Sequence, residues 1–101
     1  MENKPVCKID EDGTKRWYLN DNYHREDGPA IEYTDGGKQW YINGNPHRLD
    51  GPAVIFSNGG SIWYFHGICV SIVITKWAEE NEIDLGNLSD VDKALIKIVW
   101  S

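Results

Sequence analysis

Short clusters of aromatic and aliphatic residues recur along the first two thirds of the chain, separated by stretches rich in Gly, Asn and Asp. The clusters are residues 15–19, 30–33, 38–42, 53–56 and 62–65. Residues of these types fit half-buried strands, and Asp-Gly or Asn-Gly supplies the positive φ angles of tight hairpin turns. The pattern predicts an antiparallel meander, with a short edge strand at residues 6–9.

Most of these clusters belong to a repeat of 23 residues. Residues 11–33 align with residues 34–56 without a gap and match at 13 of 23 positions, and a third copy starts at Ser57 and stops after Gly67. Trp-Tyr pairs mark the register at 17/18, 40/41 and 63/64. A fixed short period is typical of stacked units that bury their apolar faces against one another. We therefore expect roughly one hairpin per repeat.

Helical periodicity replaces the repeat after Gly67. The first helix is predicted from the spacing of Val70, Val73, Ile74, Trp77 and Ala78. A capping box that begins at Ser89 predicts the start of a second helix. Its apolar stripe comprises Val91, Ala94, Leu95, Ile98 and Val99.

These elements predict a mainly β, α+β fold in one compact domain. Residues 1–69 form a repeat β-sheet, and residues 70–101 form a helical C-terminal cap. A repeat sheet exposes its final unit, so we expect both helices to pack there through their apolar faces. At 101 residues the chain is long enough for a modest core.

The net charge indicates which partners are unfavourable, and the N-terminal residues and cysteines indicate where the protein works. The formal net charge is −6, which opposes general attraction to DNA, RNA or anionic lipid and suits a basic protein surface. The first 13 residues carry charges throughout and lack the apolar segment of a signal peptide, and the longest apolar run, near residues 68–75, is too short to span a bilayer. We expect a cytosolic protein. Cys7 and Cys69 fit reduced thiols, with Cys69 buried at an apolar strand-to-helix junction.

The repeated His-Arg-x-Asp motif is the candidate chemistry. An Arg beside a His, near a Trp-Tyr platform, suits a phosphorylated aromatic ligand such as a nucleotide. The candidate ligand-binding residues are Trp17, Tyr18, His24, Arg25, Trp40, Tyr41, His47 and Arg48. A purely structural role is the alternative, because Asp-Gly-Pro is turn chemistry and His or Arg can stack on Trp. Repetition itself favours the structural role, since catalytic residues seldom recur in every unit.

Catalysis and metal binding find little support in the sequence. The chain lacks G-x-S-x-G, H-E-x-x-H and Walker motifs, and His24, His47 and His66 have no metal-ligand spacing. We predict neither catalytic residues nor a metal or cofactor. A hydrolase using His and Asp is the least favoured class.

Alternation along a strand also predicts self-association. Neighbours such as Trp40 and Tyr41 point to opposite faces, and a single-layer sheet with two short helices cannot bury both sets. The exposed aromatic rows then serve as a ligand platform or as a subunit interface. Because edge strands are also open, we expect a homo-oligomer, specifically a dimer.

The motif WYxNGxxHRxDGPA, from Trp40 to Ala53, and the helical tail after it resemble the MORN-like repeat proteins of tailed phages. The first copy departs from the motif because Asp21 stands where the second copy has Gly44, which predicts a different turn. The resemblance implies a viral accessory protein that works in the host bacterial cytoplasm against host immunity. Its favoured role is a non-catalytic sponge for a small nucleotide immune signal. The alternative is an inhibitor that binds a host defence protein through its acidic or aromatic surface.

Overall fold

The computed structural model describes residues 4–101, so the first three residues of the predicted repeat sheet lie outside the described residues. Eleven strands and two helices follow one another in this part of the chain. They are β1 (Val6–Ile9), β2 (Lys15–Leu19), β3 (Asn22–Tyr23), β4 (Ile31–Glu32), β5 (Lys38–Gln39), β6 (Tyr41–Ile42), β7 (Asn45–Pro46), β8 (Val54–Ile55), β9 (Ser61–Ile62), β10 (Tyr64–Phe65), β11 (Ile68–Cys69), α1 (Ser71–Glu80) and α2 (Asp90–Trp100).

The strands form three antiparallel sheets. Seven strands make the main sheet in the order β1-β2-β4-β5-β8-β9, with β3 paired to β2, while β6-β7 and β10-β11 form two-stranded sheets. The prediction of a mainly antiparallel β fold with C-terminal helices is confirmed. The prediction of a single meander is not confirmed, because the predicted strands of the second and third copies break at Trp40 and Trp63. The strands before the breaks, β5 and β9, belong to the main sheet. The strands after the breaks, β6 and β10, pair with β7 and β11 in separate hairpins.

Two kinds of turn recur at the repeat spacing. In the first kind, a glycine with φ between 91° and 96° follows an Asp or Asn, at Gly13, Gly36 and Gly59. The Asp or Asn side chain accepts a hydrogen bond from the backbone two residues on, as Asp35 does from the Gly37 N–H at 2.9 Å. These side chains fix the turn because they take the place of a backbone acceptor.

The second kind of turn contains two successive residues in the left-handed region. Asn43 and Gly44 have φ of 50° and 82°, which matches the type I′ hairpin turn. Asn20 and Asp21 adopt φ of 51° and 67°, so Asp21 takes the same conformation as Gly44. The expectation of a different first-copy turn is therefore wrong. Asn and Asp tolerate the left-handed region because their short polar side chains bond locally.

The hydrophobic core lies where the third copy meets the helices. Its buried members are Trp63, Phe65, Ile74 and Ile96. Trp100 packs beside them, with its ring centroid 5.5 Å from that of Phe65. The cap is therefore attached through the third Trp and the aromatic end of α2. The predicted cap position is thus occupied by both helices.

The capping box at the start of α2 is present, but the predicted apolar stripe does not face the core. Ser89 Oγ accepts from the Asp92 N–H, and the Asp92 carboxylate accepts from the Ser89 N–H. Ile96 is fully buried and Trp100 is half-buried, and these two lie on the opposite side of the helix from the stripe. The stripe residues are all exposed, namely Val91, Ala94, Leu95, Ile98 and Val99. The expectation that the stripe packs on the sheet is wrong because the side with Trp100 fills the core instead.

One serine completes the third copy where the repeat motif stops. In the first two copies the Trp17 and Trp40 N–H groups donate to the carbonyls of Ala30 and Ala53. The third copy has no such segment, and the Trp63 N–H donates to Ser71 Oγ at 2.9 Å. The side chain at the start of α1 thus replaces a strand carbonyl.

Ser71→Ala should lower the free energy of unfolding by about 1 kcal/mol, because the part-buried Trp63 N–H loses its acceptor. Urea denaturation measures the change. Ser57→Ala, in an exposed turn, is the control and should change stability by less than about 0.5 kcal/mol. Equal losses for the two variants would contradict the replacement role of Ser71.

Candidate functional site

The second-copy motif forms a clamp around one arginine. The Arg48 guanidinium lies over the Trp40 ring, with its central carbon 3.8 Å from the ring centroid. Its Nε donates to Asp50 at 2.8 Å and its Nη1 donates to the Pro52 carbonyl at 3.1 Å. The guanidinium thus has three partners from one motif: the Trp40 ring, the Asp50 carboxylate and the Pro52 carbonyl.

The first copy repeats the clamp with the same geometry. Arg25 lies 3.8 Å from the Trp17 ring centroid and donates to Asp27 at 2.9 Å and to Pro29 at 3.1 Å. A weaker ion pair joins Arg25 Nη1 to Glu32 at 3.7 Å. Both arginines therefore commit two of their nitrogens to their own repeat. These contacts support the structural alternative for Arg25 and Arg48.

The glycine of Asp-Gly-Pro is explained by the arginine beside it. A Cβ on Gly51 would lie 2.7 Å from Arg48 Cζ, and one on Gly28 would lie 3.0 Å from Arg25 Cζ. Any side chain there would push the guanidinium away from its tryptophan. The motif therefore requires glycine for close approach, and a positive φ is not the reason.

The histidines join successive copies. His24 Nδ1 accepts a hydrogen bond from the Asn43 N–H at 2.9 Å, and His47 Nδ1 accepts one from the His66 N–H at 2.9 Å. Each acceptor reaches the type I′ turn of the next copy. Where a third histidine would stand, the chain has Val70, and no further copy follows. Both histidines therefore have a structural contact that depends on an unprotonated Nδ1.

The environment of His47 favours its neutral form. Partial burial lowers the pKa of His47 from its ordinary value, and the charge of His66 lowers that pKa further. The two imidazole rings are stacked with centroids 4.1 Å apart. Proton uptake by His47 therefore costs both a hydrogen bond and an unfavourable contact between cations.

The tyrosines of the first two Trp-Tyr pairs, Tyr18 and Tyr41, lie in a row of half-buried rings. Tyr23 stands between Tyr18 and Tyr41, with centroids 5.1 Å and 5.3 Å away. Burial raises the pKa of Tyr41, and electrostatic repulsion from the neighbouring tyrosines raises it further. The sequence did not single out Tyr23, because its second-copy counterpart is Pro46 and the repeat comparison discards it.

A cleft of about 510 Å³ brings four of the eight predicted site residues together. They are Arg25, Trp40, His47 and Arg48. Trp17, Tyr18, His24 and Tyr41 do not line it. His24 is buried at the junction of the first two copies, and Trp17 lies under Arg25. The remaining lining residues are Glu26, Asp27, Gly28, Ile42, Leu49, Asp50 and Lys97.

Lys97 is the lining residue that the repeat comparison could not find. It comes from α2, about two turns after the capping box, and nothing in its local sequence distinguishes it from Lys93. The cleft has three cations and three carboxylates, and two of those carboxylates are bonded to Arg25 and Arg48. Within residues 4–101, Lys97 forms no ion pair. Its ammonium is therefore the cation that is open to an anionic ligand.

The cysteines differ in part from the expectation. Cys7 and Cys69 are both free and exposed, so the prediction of a buried Cys69 thiol is wrong. Cys69 pairs with Tyr64 across the β10-β11 hairpin, whereas the buried residue of that hairpin, Phe65, pairs with Ile68. In the part of the chain described, no three His, Cys, Asp or Glu residues are grouped to hold a metal ion. Neither helix has the length and apolarity needed to cross a membrane.

His47→Ala should lower the free energy of unfolding by about 1 kcal/mol at pH 7.5, and His47→Asn by less, because Asn Oδ1 keeps an acceptor. Since the folded-state pKa of His47 lies below 6.5, its contribution is present above pH 6.5 and lost as the pH falls below that value. Urea titrations between pH 7.5 and 5.5 measure this. A slope as steep in His47→Asn as in the native chain would contradict the role of Nδ1.

Gly51→Ala should destabilise the fold by about 1–2 kcal/mol, because its Cβ displaces Arg48 from Trp40. Gly28→Ala should cost less, since its contact is 0.3 Å longer (3.0 Å against 2.7 Å). Thermal unfolding and tryptophan fluorescence report the stability and the Trp40 environment. The reverse order of effects would show that the arginine is not the residue displaced.

Comparison with known proteins assigns the chain to no family. No family model, no curated protein and no solved structure matches it. The resemblance to MORN-like repeat proteins therefore rests on the motif from Trp40 to Ala53, on its first-copy counterpart and on the helical tail.

Proposed function

We propose that this chain is a non-enzymatic phage accessory protein that counters host antiviral defence by sequestering a small nucleotide immune signal in the host cytoplasm. The observation that carries the proposal is the cleft where Arg25, Arg48 and Lys97 converge beside Trp40. Two repeats and one helix contribute to it, so its composition does not follow from a single repeat.

Lys97 is the proposed phosphate contact. Arginine and lysine make charge-assisted hydrogen bonds to phosphate oxygens, and lysine does so as a point charge. Arg25 and Arg48 bond through Nε and Nη1, and the second terminal nitrogen of each donates to no acceptor in residues 4–101. These two nitrogens and the Lys97 ammonium are the donors that the cleft offers to an anionic group.

The other side of the cleft suits a base. Ile42 and Leu49 line it together with the Trp40 indole. Because Arg48 covers one face of Trp40, a base would pack against the uncovered part of the indole and the two aliphatic side chains. These three side chains are the apolar part of a lining that is otherwise mostly polar and charged.

Capture fits this cleft better than turnover does. Asp27 and Asp50 are bonded to arginines, and His24 and His47 accept backbone N–H groups through Nδ1. A general base needs a free acceptor within reach of the substrate. These engaged groups support binding over hydrolysis.

We also propose that the 23-residue units are MORN-like repeats arranged as a meander of hairpins. Three features recur at the repeat spacing and support this: the arginine clamp, the histidine acceptor and the two turn types.

The second functional candidate is an inhibitor that binds a host defence protein directly. Its support is the net charge of −6, which suits a basic partner surface.

Calorimetric titration with cyclic mono- and dinucleotides tests the sponge. We expect one of them to bind, and Lys97→Ala to weaken that binding by roughly tenfold through loss of the phosphate contact. Lys76→Ala, an exposed cation on α1 away from the cleft, is the matched control and should leave affinity unchanged. Equal weakening by both variants would indicate general electrostatics and contradict the cleft.

Chromatography of the recovered nucleotide separates the remaining hypotheses. An intact ligand supports capture, and a converted ligand supports the hydrolase. Binding of no nucleotide, together with co-purification of a host protein, would support direct inhibition and overturn the sponge.

A further inference from the structure

The exposed side of α2 is the most extended apolar surface on a helix of this protein. Five residues form this surface, which we call the α2 stripe: Val91, Ala94, Leu95, Ile98 and Val99. The exposed fractions of Val91, Leu95, Ile98 and Val99 are 77%, 37%, 79% and 49%. Among soluble monomers, the largest contiguous apolar patches are often functional, so the exposure of this face favours a partner.

We propose that the α2 stripe is the interface of a two-fold dimer, in which α2 packs antiparallel on α2 of a second copy of this chain. Helices pack through residues spaced three and four apart, and the stripe has this spacing from Val91 to Ile98. The stripe is also almost symmetric along the helix, with aliphatic residues at both ends and Ala94 and Leu95 at its middle. An antiparallel two-fold axis near Ala94 places Val91 against Ile98 of the partner.

The charges that border the stripe fit the antiparallel arrangement. Asp90 and Lys97 are both exposed, are seven residues apart and so lie on the same flank of the helix. In an antiparallel pair, equal flanks meet with their ends exchanged, which places Asp90 of each copy beside Lys97 of the other. A parallel pair would instead bring this flank against the opposite flank of the partner helix, so that Asp90 and Lys97 would not meet. The charges therefore select one orientation.

The area agrees with a weak but specific dimer. The exposed fractions of the stripe correspond to roughly 450 Å² of apolar surface, within the range of the largest and often functional patches of monomers. Two copies together would hide about 900 Å², close to the ~1,000 Å² of the smallest specific interfaces. We therefore expect a weak, reversible dimer rather than an obligate one.

Edge-strand pairing is the competing route to a dimer. Strand β1 lies at one edge of the main sheet, and its Val6 and Ile9 are exposed. Only four residues long, β1 offers few backbone groups and presents Lys8 between its apolar residues. Short edges that carry lysine are typical of strands protected from pairing. The α2 stripe is therefore the better interface.

Sedimentation equilibrium of the full chain, without any ligand, tests the proposal. We expect a mass of twice the 11.5 kDa chain at about 50 µM. Ile98→Asp should raise the dissociation constant at least about 100-fold, because it puts a carboxylate into the apolar contact. Ile9→Asp is the matched control on β1 and should leave the dimer intact. Circular dichroism verifies that each variant is folded.

Charge exchange tests the orientation. Asp90→Lys alone and Lys97→Asp alone should each weaken self-association, since each places like charges together in the symmetric pair. An equimolar mixture of the two variants should restore the dimer, because every contact then joins Lys to Asp.

A monomeric native chain at 50 µM would overturn the proposal, and so would a dimer lost in Ile9→Asp but kept in Ile98→Asp. Failure of the mixture to restore association would overturn the antiparallel contact. These measurements use no nucleotide, so their outcome does not depend on the proposed sponge activity. Because Lys97 is also the proposed phosphate contact, Lys97→Asp is used here only to measure self-association.

Discussion

The hydrogen bond from a backbone N–H of one copy to the histidine of the copy before it is the contact on which the repeat architecture depends. From β3 onward each strand has only two residues, too few for the sheet ladder alone to fix how one copy follows another. His24 and His47 each reach the type I′ turn of the next copy and give that turn an acceptor. The arginine clamp then holds the loop that carries each histidine, so turn, loop and next copy form one connected unit.

The end of the repeat follows from the loss of these same residues. Val70 and Ser71 stand where the third copy would have its histidine and arginine. Without the imidazole a fourth copy would lack the side-chain acceptor that joins the earlier copies, and Ser71 satisfies the Trp63 N–H that a further strand would otherwise bond. Trp63 and Phe65 are then covered by α1 and α2, which turns the open end of a repeat stack into a small core.

Local chemistry was predictable from the sequence, whereas the choice between competing surfaces was not. Strand β2 and the Ser89 capping box were found at their observed residues because each is encoded within a few positions. The break at Trp40 was missed because continuous β-type residues conceal a change of partner strand. Periodicity showed that α2 has an apolar stripe, but only three-dimensional packing decides that Ile96 and Trp100 occupy the core. Lys97 was missed because it enters the cleft from a distant element.

In the proposed sponge, ligand selectivity would come from positions at which the copies differ, since the contacts of the repeated positions hold the scaffold. Glu26 in the first copy corresponds to Leu49 in the second, and both line the cleft. At this position the first copy contributes a carboxylate and the second copy an aliphatic side chain, while Lys97 adds a cation from α2. A ligand with one anionic and one apolar part would therefore be held in a single orientation, with its apolar part away from Glu26. The repeated residues thus form the scaffold of the cleft, and the residues that differ between the copies make its two parts chemically different.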